Sequence, residues 1–277
     1  LVINELPLEE YLYGVVPSEM PPNWPLEALK AQAITARTYA LKRIEAAPAA
    51  LYHVVATQDN QVYRGYDNES LATTRAVVET RGNVLVYATP TGPSRGGVKG
   101  ELVDACFHSS NGGFIENCED VWREPLPYLR GKPDPFDKIG GSPYYSWEKS
   151  FTVNELVDWL AKKGYNFAFI NDIQVAERTA VGGRIKKLVI IGKDAAGQQL
   201  IKSIYNADRV RQVLFVDPNN PDPHHTRSLV TEMTKECDPT TGQLVKVTFS
   251  GSGWGHGLGM SQYGARGMAE QGHTYDQ

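Results

Sequence analysis

The sequence lacks the features that mark several broad classes of protein. Its 277 residues contain no apolar run near the roughly 18 residues that a membrane span requires. Lysine and arginine total 28 against 32 acidic residues, so no basic excess favours nucleic-acid binding. Three cysteines are too few for a disulfide scaffold, and no HExxH zinc motif is present. We therefore expect no nucleic-acid partner and no membrane span in this chain.

Composition and length are those of a globular protein with a substantial core. The chain is 41% hydrophobic and 22% charged, which suits one large domain or two smaller ones. It begins with Leu1 and shows neither a charged nor an apolar leader segment. We expect a mature domain from which a signal or anchor has been removed.

Helices and strands alternate irregularly, which favours an α+β fold over a regular parallel sheet. Apolar residues at three- and four-residue spacing predict an alanine-rich helix over 26–44, against which another element should pack closely. Further helices are predicted over 7–16, 68–80, 152–163 and 207–213. Strands are predicted over 52–56, 61–63, 83–88, 101–108, 170–176, 184–191 and 244–249. Residues 122–146 and 217–225 are predicted to be surface loops rich in proline.

Residues 251–265, GSGWGHGLGMSQYGA, form the most distinctive segment. Six glycines in this stretch leave the backbone open to close approach by a ligand or another strand. His256 lies among them, and Ser261, Gln262 and Tyr263 fall near the start of a following helix. The alternative is a glycine-rich turn whose histidine is satisfied by backbone. We favour a functional site, because so much glycine has an entropic cost.

Glu19 is the second candidate site residue. It lies in a predicted loop, PSEMPPNWP, that proline stiffens between two helices, so its carboxyl group should have a fixed direction. Val16, Met20 and Trp24 are placed to desolvate it and to raise its pKa toward that of a general acid. The alternative is an ordinary solvated glutamate.

A cysteine and histidine cluster is the third candidate. In a continuous strand over 101–108, Cys106 and His108 would share a face, and Cys118 would return after a turn. A zinc site is conceivable, although no fourth ligand is evident. A Cys106–Cys118 disulfide and inert buried thiols are the alternatives.

Two shorter motifs add candidate groove residues. Arg37 and Tyr39 lie in AQAITARTYA, and Gln61 and Tyr63 lie on one face of a predicted short strand. Each residue suits contacts with a sugar, and each also suits packing within the protein.

Four stretches resemble the SpoIID/LytB family of bacterial cell-wall proteins. They are LPLEEYLYGVVPSEMPPNWPLEALKAQAITARTYAL, QVYRG, FHSSNGGFIENCEDVW and GSGWGHGLGMSQYGARGMA, in that order. They span nearly the whole chain, and the first and last are long and highly specific. Residues 136–243 match only in outline, so we predict one domain, 1–277, around a substrate groove, with 136–243 as an elaborated subregion.

The resemblance implies an extracytoplasmic protein, in the periplasm or cell wall, that acts on peptidoglycan. One branch consists of lytic transglycosylases that cut glycan strands stripped of stem peptides, and the other of amidase enhancers that stimulate a partner amidase. The catalytic acid of the first branch lies in the motif that here reads PSEM, so the resemblance assigns this role to Glu19. We predict substrate-binding roles for His256, Ser261, Gln262, Tyr263, Arg37, Tyr39, Gln61, Tyr63 and Ser109.

The first branch is the favoured prediction. A transglycosylase needs one carboxyl group, unlike most glycosidases, although Glu116 and Asp120 stay possible second carboxylates. Some members carry a Cys/His zinc site near the motif that here reads FHSSNGG, but the spacing of Cys106, His108 and Cys118 departs from it. We expect no required cofactor, with a structural zinc as the alternative. A non-catalytic enhancer ranks second and a zinc hydrolase third.

Overall fold

The computed structural model describes residues 2–122, 124–216 and 227–277. It combines helices with antiparallel sheets, so the α+β prediction is confirmed. The chain divides into two units, of which unit 1 comprises residues 1–107 and 262–277 and unit 2 comprises residues 108–261. The predicted subregion, 136–243, falls within the bounds of unit 2. The predicted loop 217–225 lies outside the described residues.

Unit 1 is built mainly from helices. Its helices are α1 (Leu8–Glu19), α2 (Leu26–Ala46), a 3-10 turn (Tyr66–Asn68), α3 (Leu71–Glu79) and, from the end of the chain, α8 (Gln262–Glu270). Its strands are β1 (Val86–Ala88), β2 (Ser94–Arg95) and β3 (Val98–Leu102), with β3 between the other two. β4 (Phe107–His108) spans the point at which the two units divide.

Helix α2 forms the centre of unit 1. Its buried face includes Ala28, Ala33, Ala36 and Ala40, and α1, α3 and α8 all contact it. Small side chains let neighbouring helix backbones approach closely, so the close packing predicted from the alanines is confirmed. Of the helices in the described ranges, none is both long enough and apolar enough to cross a membrane.

Unit 2 contains two three-stranded antiparallel sheets with helices packed on them. One sheet has the order β10 (Gln199–Tyr205), β9 (Ile185–Lys193), β8 (Phe169–Arg178). The other has the order β11 (Val230–Cys237), β12 (Leu244–Gly251), β7 (Trp147–Thr152). The remaining elements are β5 (Phe114–Ile115), α4 (Cys118–Val121), β6 (Lys132–Pro133), α5 (Phe136–Ile139), α6 (Val153–Lys162), α7 (Ala207–Phe215) and β13 (Met260–Ser261).

The core of unit 2 lies where α6 and α7 meet the sheets. Leu156 and Leu160 of α6, Val213 of α7 and Leu188 of β9 are completely or almost completely buried in one apolar cluster. α6 begins as predicted, since the Thr152 hydroxyl accepts the Glu155 N–H while the Glu155 carboxylate accepts the Thr152 N–H.

Several predicted strands are wrong. Residues 52–56 and 61–63 form no strand. In the second segment, the Gln61 side chain bonds to the Ala36 carbonyl of α2 and the Val62 N–H bonds to the Glu19 carboxylate, so this segment is held by side chains and not by a sheet. The strand predicted over 101–108 is interrupted at residues 103–106. Strands β10 and β11 were not predicted, because exposed polar side chains interrupt their apolar pattern.

Candidate functional site

Glu19 is the last residue of α1, so the prediction that it lies in a loop is wrong. The helix continues through Pro17, whose ring removes one backbone N–H from the helical hydrogen bonds. The Ser18 hydroxyl donates to the carbonyl of Gly14 at 2.7 Å, which adds a side-chain bond in the same turn. The carboxyl group therefore projects from a helix end and not from the proline-stiffened loop that the sequence predicted.

The Glu19 carboxyl group is largely removed from water. Met20 and Val16 beside it are 1% and 0% exposed, and burial raises the pKa of Glu19 to about 7. The N–H of Val62 donates to Glu19 Oε1 at 2.6 Å, and this bond and the positive charge of Arg64 lower the pKa by less than burial raises it. The raised pKa predicted from the sequence is confirmed, and it suits a group that donates a proton near neutral pH.

The raised pKa of Glu19 predicts a pH-dependent stability. Between pH values near the ordinary pKa of 4.5 and the folded value of about 7, the folded chain holds a proton that the unfolded chain releases. The contribution of Glu19 to the free energy of unfolding therefore falls as the pH rises through this window. We expect Glu19→Gln to stabilise the protein by up to about 3 kcal/mol near pH 8, and by much less near pH 4.5.

Urea unfolding at a series of pH values measures this difference. Glu10→Gln is the matched control, since Glu10 is exposed on the same helix and should give no comparable pH-dependent difference. An equal effect of Glu19→Gln at every pH would contradict the raised pKa.

The QVYRG segment holds Val62 against Glu19. The Gln61 side chain, 0% exposed, donates to the carbonyl of Ala36 at 3.2 Å and accepts the Tyr11 hydroxyl at 3.2 Å. Tyr63 stacks on Tyr11 with ring centroids 5.6 Å apart. Gly14 leaves room for this ring, because a Cβ there would lie 2.5 Å from Tyr63. The Gln61 amide is buried and bonded within the protein, which is the packing alternative that the sequence left open for this residue.

Two residues of α8 contact the N-terminal part of unit 1. Gln262 Nε2 donates to the backbone carbonyl of Glu19 at 3.0 Å and to Gln32 Oε1 at 3.2 Å. The ring of Tyr263 lies edge-on to Trp24 at 4.8 Å. The buried Gln262 amide thus fixes the backbone of Glu19, although the sequence had suggested a sugar contact.

Arg37 lies inside unit 1, bonded to other residues of the protein, which is the packing alternative to its predicted place in a groove. The side chain is 1% exposed, and its guanidinium makes two hydrogen bonds of 2.8 Å to the Glu9 carboxylate. It also donates to the carbonyls of Val77 and Asn83. A buried guanidinium with this many internal partners is not available to a ligand. Tyr39 is half-buried and its hydroxyl accepts from Asn60 at 3.0 Å.

In unit 2, a buried aspartate organises the two motifs that carry Ser109 and Ser261. Asp137 is 0% exposed and accepts hydrogen bonds from the hydroxyls of Ser110 and Ser261, at 2.7 and 2.6 Å. The N–H of Gly112 donates to it as well, at 3.0 Å. The Ser261 hydroxyl is therefore engaged inside unit 2, and it also approaches the Ser109 carbonyl at 3.4 Å.

Sequence reasoning missed Asp137. It assigned residues 122–146 to a surface loop, whereas Leu129, Asp134 and Asp137 in that stretch are buried. The Asp137 carboxylate accepts hydrogen bonds from groups 25 to 27 residues earlier and from one group 124 residues later, and local sequence carries no signal for such pairings.

His256 lies against His108 and Trp122. The His256 ring centroid is 5.2 Å from that of His108 and 5.3 Å from that of Trp122, and His256 Nδ1 accepts the N–H of Leu258 at 3.1 Å. His108 is buried, and burial followed by the neighbouring His256 lowers its pKa well below the ordinary value. Its Nδ1 lies 3.0 Å from the carbonyl of Leu258, so a neutral ring donates there.

The geometric premise of the zinc site is wrong. Cys106 and His108 do not share a continuous strand, because residues 103–106 interrupt it. Within the described ranges, no group of three or more histidine, cysteine, aspartate or glutamate side chains is arranged to hold a metal ion. Cys118 is buried in α4, and it forms no disulfide with Cys106.

The possible second carboxylates have structural partners in unit 2. Glu116 is 0% exposed, lies 3.4 Å from the Arg184 guanidinium and accepts the Thr179 hydroxyl at 3.0 Å. Asp120 pairs with Lys186 at 2.7 Å. Neither carboxylate is placed as an exposed nucleophile or base.

These features define a class: an α+β protein with a largely desolvated carboxyl group of raised pKa at a helix end. The chain is 32% identical over 291 residues to stage II sporulation protein D of Bacillus subtilis (strain 168), covering 99% of this chain and 72% of that protein. It is 32% identical over 302 residues to the amidase enhancer of the same organism, and this match covers 95% of this chain and 38% of the enhancer. An uncharacterized protein of Brachyspira hyodysenteriae is 30% identical over 276 residues, and this match covers 98% of this chain and 63% of that protein.

Family comparisons agree with these relatives. The SpoIID family, described as stage II sporulation protein, matches residues 1–87, which include Glu19 and Val62. A domain of unknown function (DUF8618) matches residues 136–259. The chain belongs to the SpoIID family.

Proposed function

We propose that this chain is a lytic transglycosylase that cleaves the bond between N-acetylmuramic acid and N-acetylglucosamine in denuded peptidoglycan strands, outside the cytoplasm. The observation that carries the proposal is the Glu19 carboxyl group, buried at the end of α1 with a pKa of about 7. Membership of a family whose relatives include a sporulation protein and an amidase enhancer supports a role in the cell wall.

The reaction begins with proton donation by Glu19. Because Oε1 accepts the Val62 N–H, Oε2 is the oxygen that carries the acidic proton. This proton passes to the bridging oxygen as the bond to the anomeric carbon breaks, and the bonding electrons stay with the departing sugar. An oxocarbenium-like centre develops at the anomeric carbon.

Ring closure completes the proposed reaction. The C6 hydroxyl of the muramic acid attacks its own anomeric carbon, and its proton returns to the Glu19 carboxylate. The product is a 1,6-anhydro sugar, no water is consumed, and no cofactor is required. Gln262 and Val62 keep the glutamate in position during both proton transfers, from its backbone and carboxyl sides respectively.

Mass spectrometry of the products from purified denuded glycan tests the proposal. Anhydro-terminated fragments, lighter than hydrolysis products by one water, are the expected result. Digestion of strands that still carry stem peptides, run in parallel, tests whether denuded glycan is the substrate. Intact glycan after incubation with folded protein would refute the proposed activity.

An amidase enhancer is the second candidate, and the 32% identity to a protein of that name favours it. On this hypothesis the chain binds glycan without cutting it. The expected result is then faster release of stem peptides by an added cell-wall amidase, with no anhydro products in its absence.

A further inference from the structure

Arg64 is a cation close enough to the proposed acid to affect its charge, and its guanidinium has no hydrogen-bond or ion-pair partner among the described residues. It follows Val62 by two residues, and its side chain is exposed. Gln61 and Tyr63, its neighbours in the same segment, are tied to α2 and α1 through Ala36 and Tyr11. Across the described residues, no ion pair or side-chain hydrogen bond involves the Arg64 guanidinium.

Most other arginines of unit 1 are held by the protein itself. Arg37 pairs with Glu9, Arg75 with Glu79, and Arg95 with Glu45. Arg64 differs from these arginines because its guanidinium is exposed to solvent and because it belongs to the QVYRG segment, which binds Glu19 through Val62. Such a cation is available to an anion on a ligand.

The position of Arg64 has an electrostatic cost in the absence of ligand. Its positive charge favours the ionised form of Glu19 and lowers the pKa of that carboxyl group, although proton donation requires the neutral form. An anion paired with Arg64 would cancel this effect while substrate is bound. The proposed substrate carries one, since muramic acid stripped of its stem peptide has a free lactyl carboxylate.

We propose that Arg64 is a specificity-determining residue that pairs with the free lactyl carboxylate of denuded glycan. The inference rests on the proposed function and extends it, because it gives a reason for preferring glycan without stem peptides. An amide-linked stem peptide replaces the lactyl carboxylate by a neutral group at this position. A carboxylate within a stem peptide could also supply an anionic partner for Arg64, and the test below distinguishes it from the lactyl carboxylate.

Glycan binding to non-cleaving protein tests the pairing. In a Glu19→Gln background, calorimetry compares three oligosaccharides: denuded, denuded with the lactyl group converted to its carboxamide, and peptide-bearing. We expect Arg64→Gln to weaken binding of the denuded glycan about five- to tenfold, and to leave binding of the carboxamide unchanged. Arg64→Lys should retain part of the affinity, since it keeps the charge without the planar fork.

Arg81→Gln is the matched control, because Arg81 is also exposed in unit 1. It should alter none of the three affinities. Equal losses for denuded and carboxamide glycans with Arg64→Gln, or no loss at all, would overturn the proposal. A loss confined to the peptide-bearing glycan would assign Arg64 to a stem-peptide carboxylate and also overturn it.

These outcomes are independent of whether the protein cuts glycan. If wild-type protein yields no anhydro products, the transglycosylase proposal fails, but the binding comparison still decides whether Arg64 reads the lactyl carboxylate. If cleavage occurs and the binding comparison shows no selectivity, the activity stands and the role of Arg64 is rejected.

Discussion

Glu19→Gln should lower the rate of anhydro-product release from denuded glycan by about a hundredfold or more. Glutamine keeps the shape of the side chain and can still accept the Val62 N–H, but it has no proton to donate to the bridging oxygen. Wild-type kcat/KM should also fall as the pH rises above about 7, because the acid then loses its proton. Time courses of anhydro products across a pH series measure both effects.

The control for this result is Glu10→Gln on the exposed face of the same helix. It should retain wild-type rates and the same pH profile. Undiminished product release by Glu19→Gln would remove Glu19 from the role of acid. If Glu19→Gln lowered the rate but kcat/KM still fell above about pH 7 as in the wild type, a different group would be responsible for that pH dependence.

Arg37→Met should destabilise the protein by about 3 kcal/mol or more. The methionine fills much of the same volume but leaves the Glu9 carboxylate and the carbonyls of Val77 and Asn83 without their donor. Glu9 is 17% exposed on its side chain, so water relieves part of the loss. Urea unfolding at constant pH measures the change in the free energy of unfolding.

Arg43→Met on the same helix is the comparison for Arg37→Met. Arg43 is exposed and contacts Tyr39, so its replacement should change stability by no more than about 0.5 kcal/mol. Unchanged stability of Arg37→Met together with weaker glycan binding would restore Arg37 to a groove role and contradict the structural one.

Features set by neighbouring residues were predictable from the sequence. The start of α6 depends on Thr152 and Glu155, three positions apart, and α2 depends on apolar spacing within one segment. The raised pKa of Glu19 was also predictable, because the apolar residues Met20 and Val16 lie within three positions of it in the chain. In each case the cause lies within a few residues of the effect.

The remaining features depend on partners distant in the chain. Gln61 is held by a hydrogen bond to the carbonyl of Ala36, 25 residues away. Arg37 is held by hydrogen bonds to Glu9, 28 residues away. Pro17 suggested that α1 ends early, although the helix continues because tertiary packing outweighs the missing N–H. Asp137 joins groups on both sides of it, over separations that no periodic pattern encodes.

Unit 1 can be completed only after residues 262–277 have been synthesised. Helix α8, which packs on α2, begins at Gln262, and this residue lies 243 positions after the backbone carbonyl that it holds. Contacts with such long sequence separation form late, because closing the intervening loop has an entropic cost. A nascent chain that has emerged only as far as residue 107 therefore holds Glu19 without its Gln262 contact. In this way the order of synthesis delays the assembly of the proposed acid site until the glycine-rich segment has also been made.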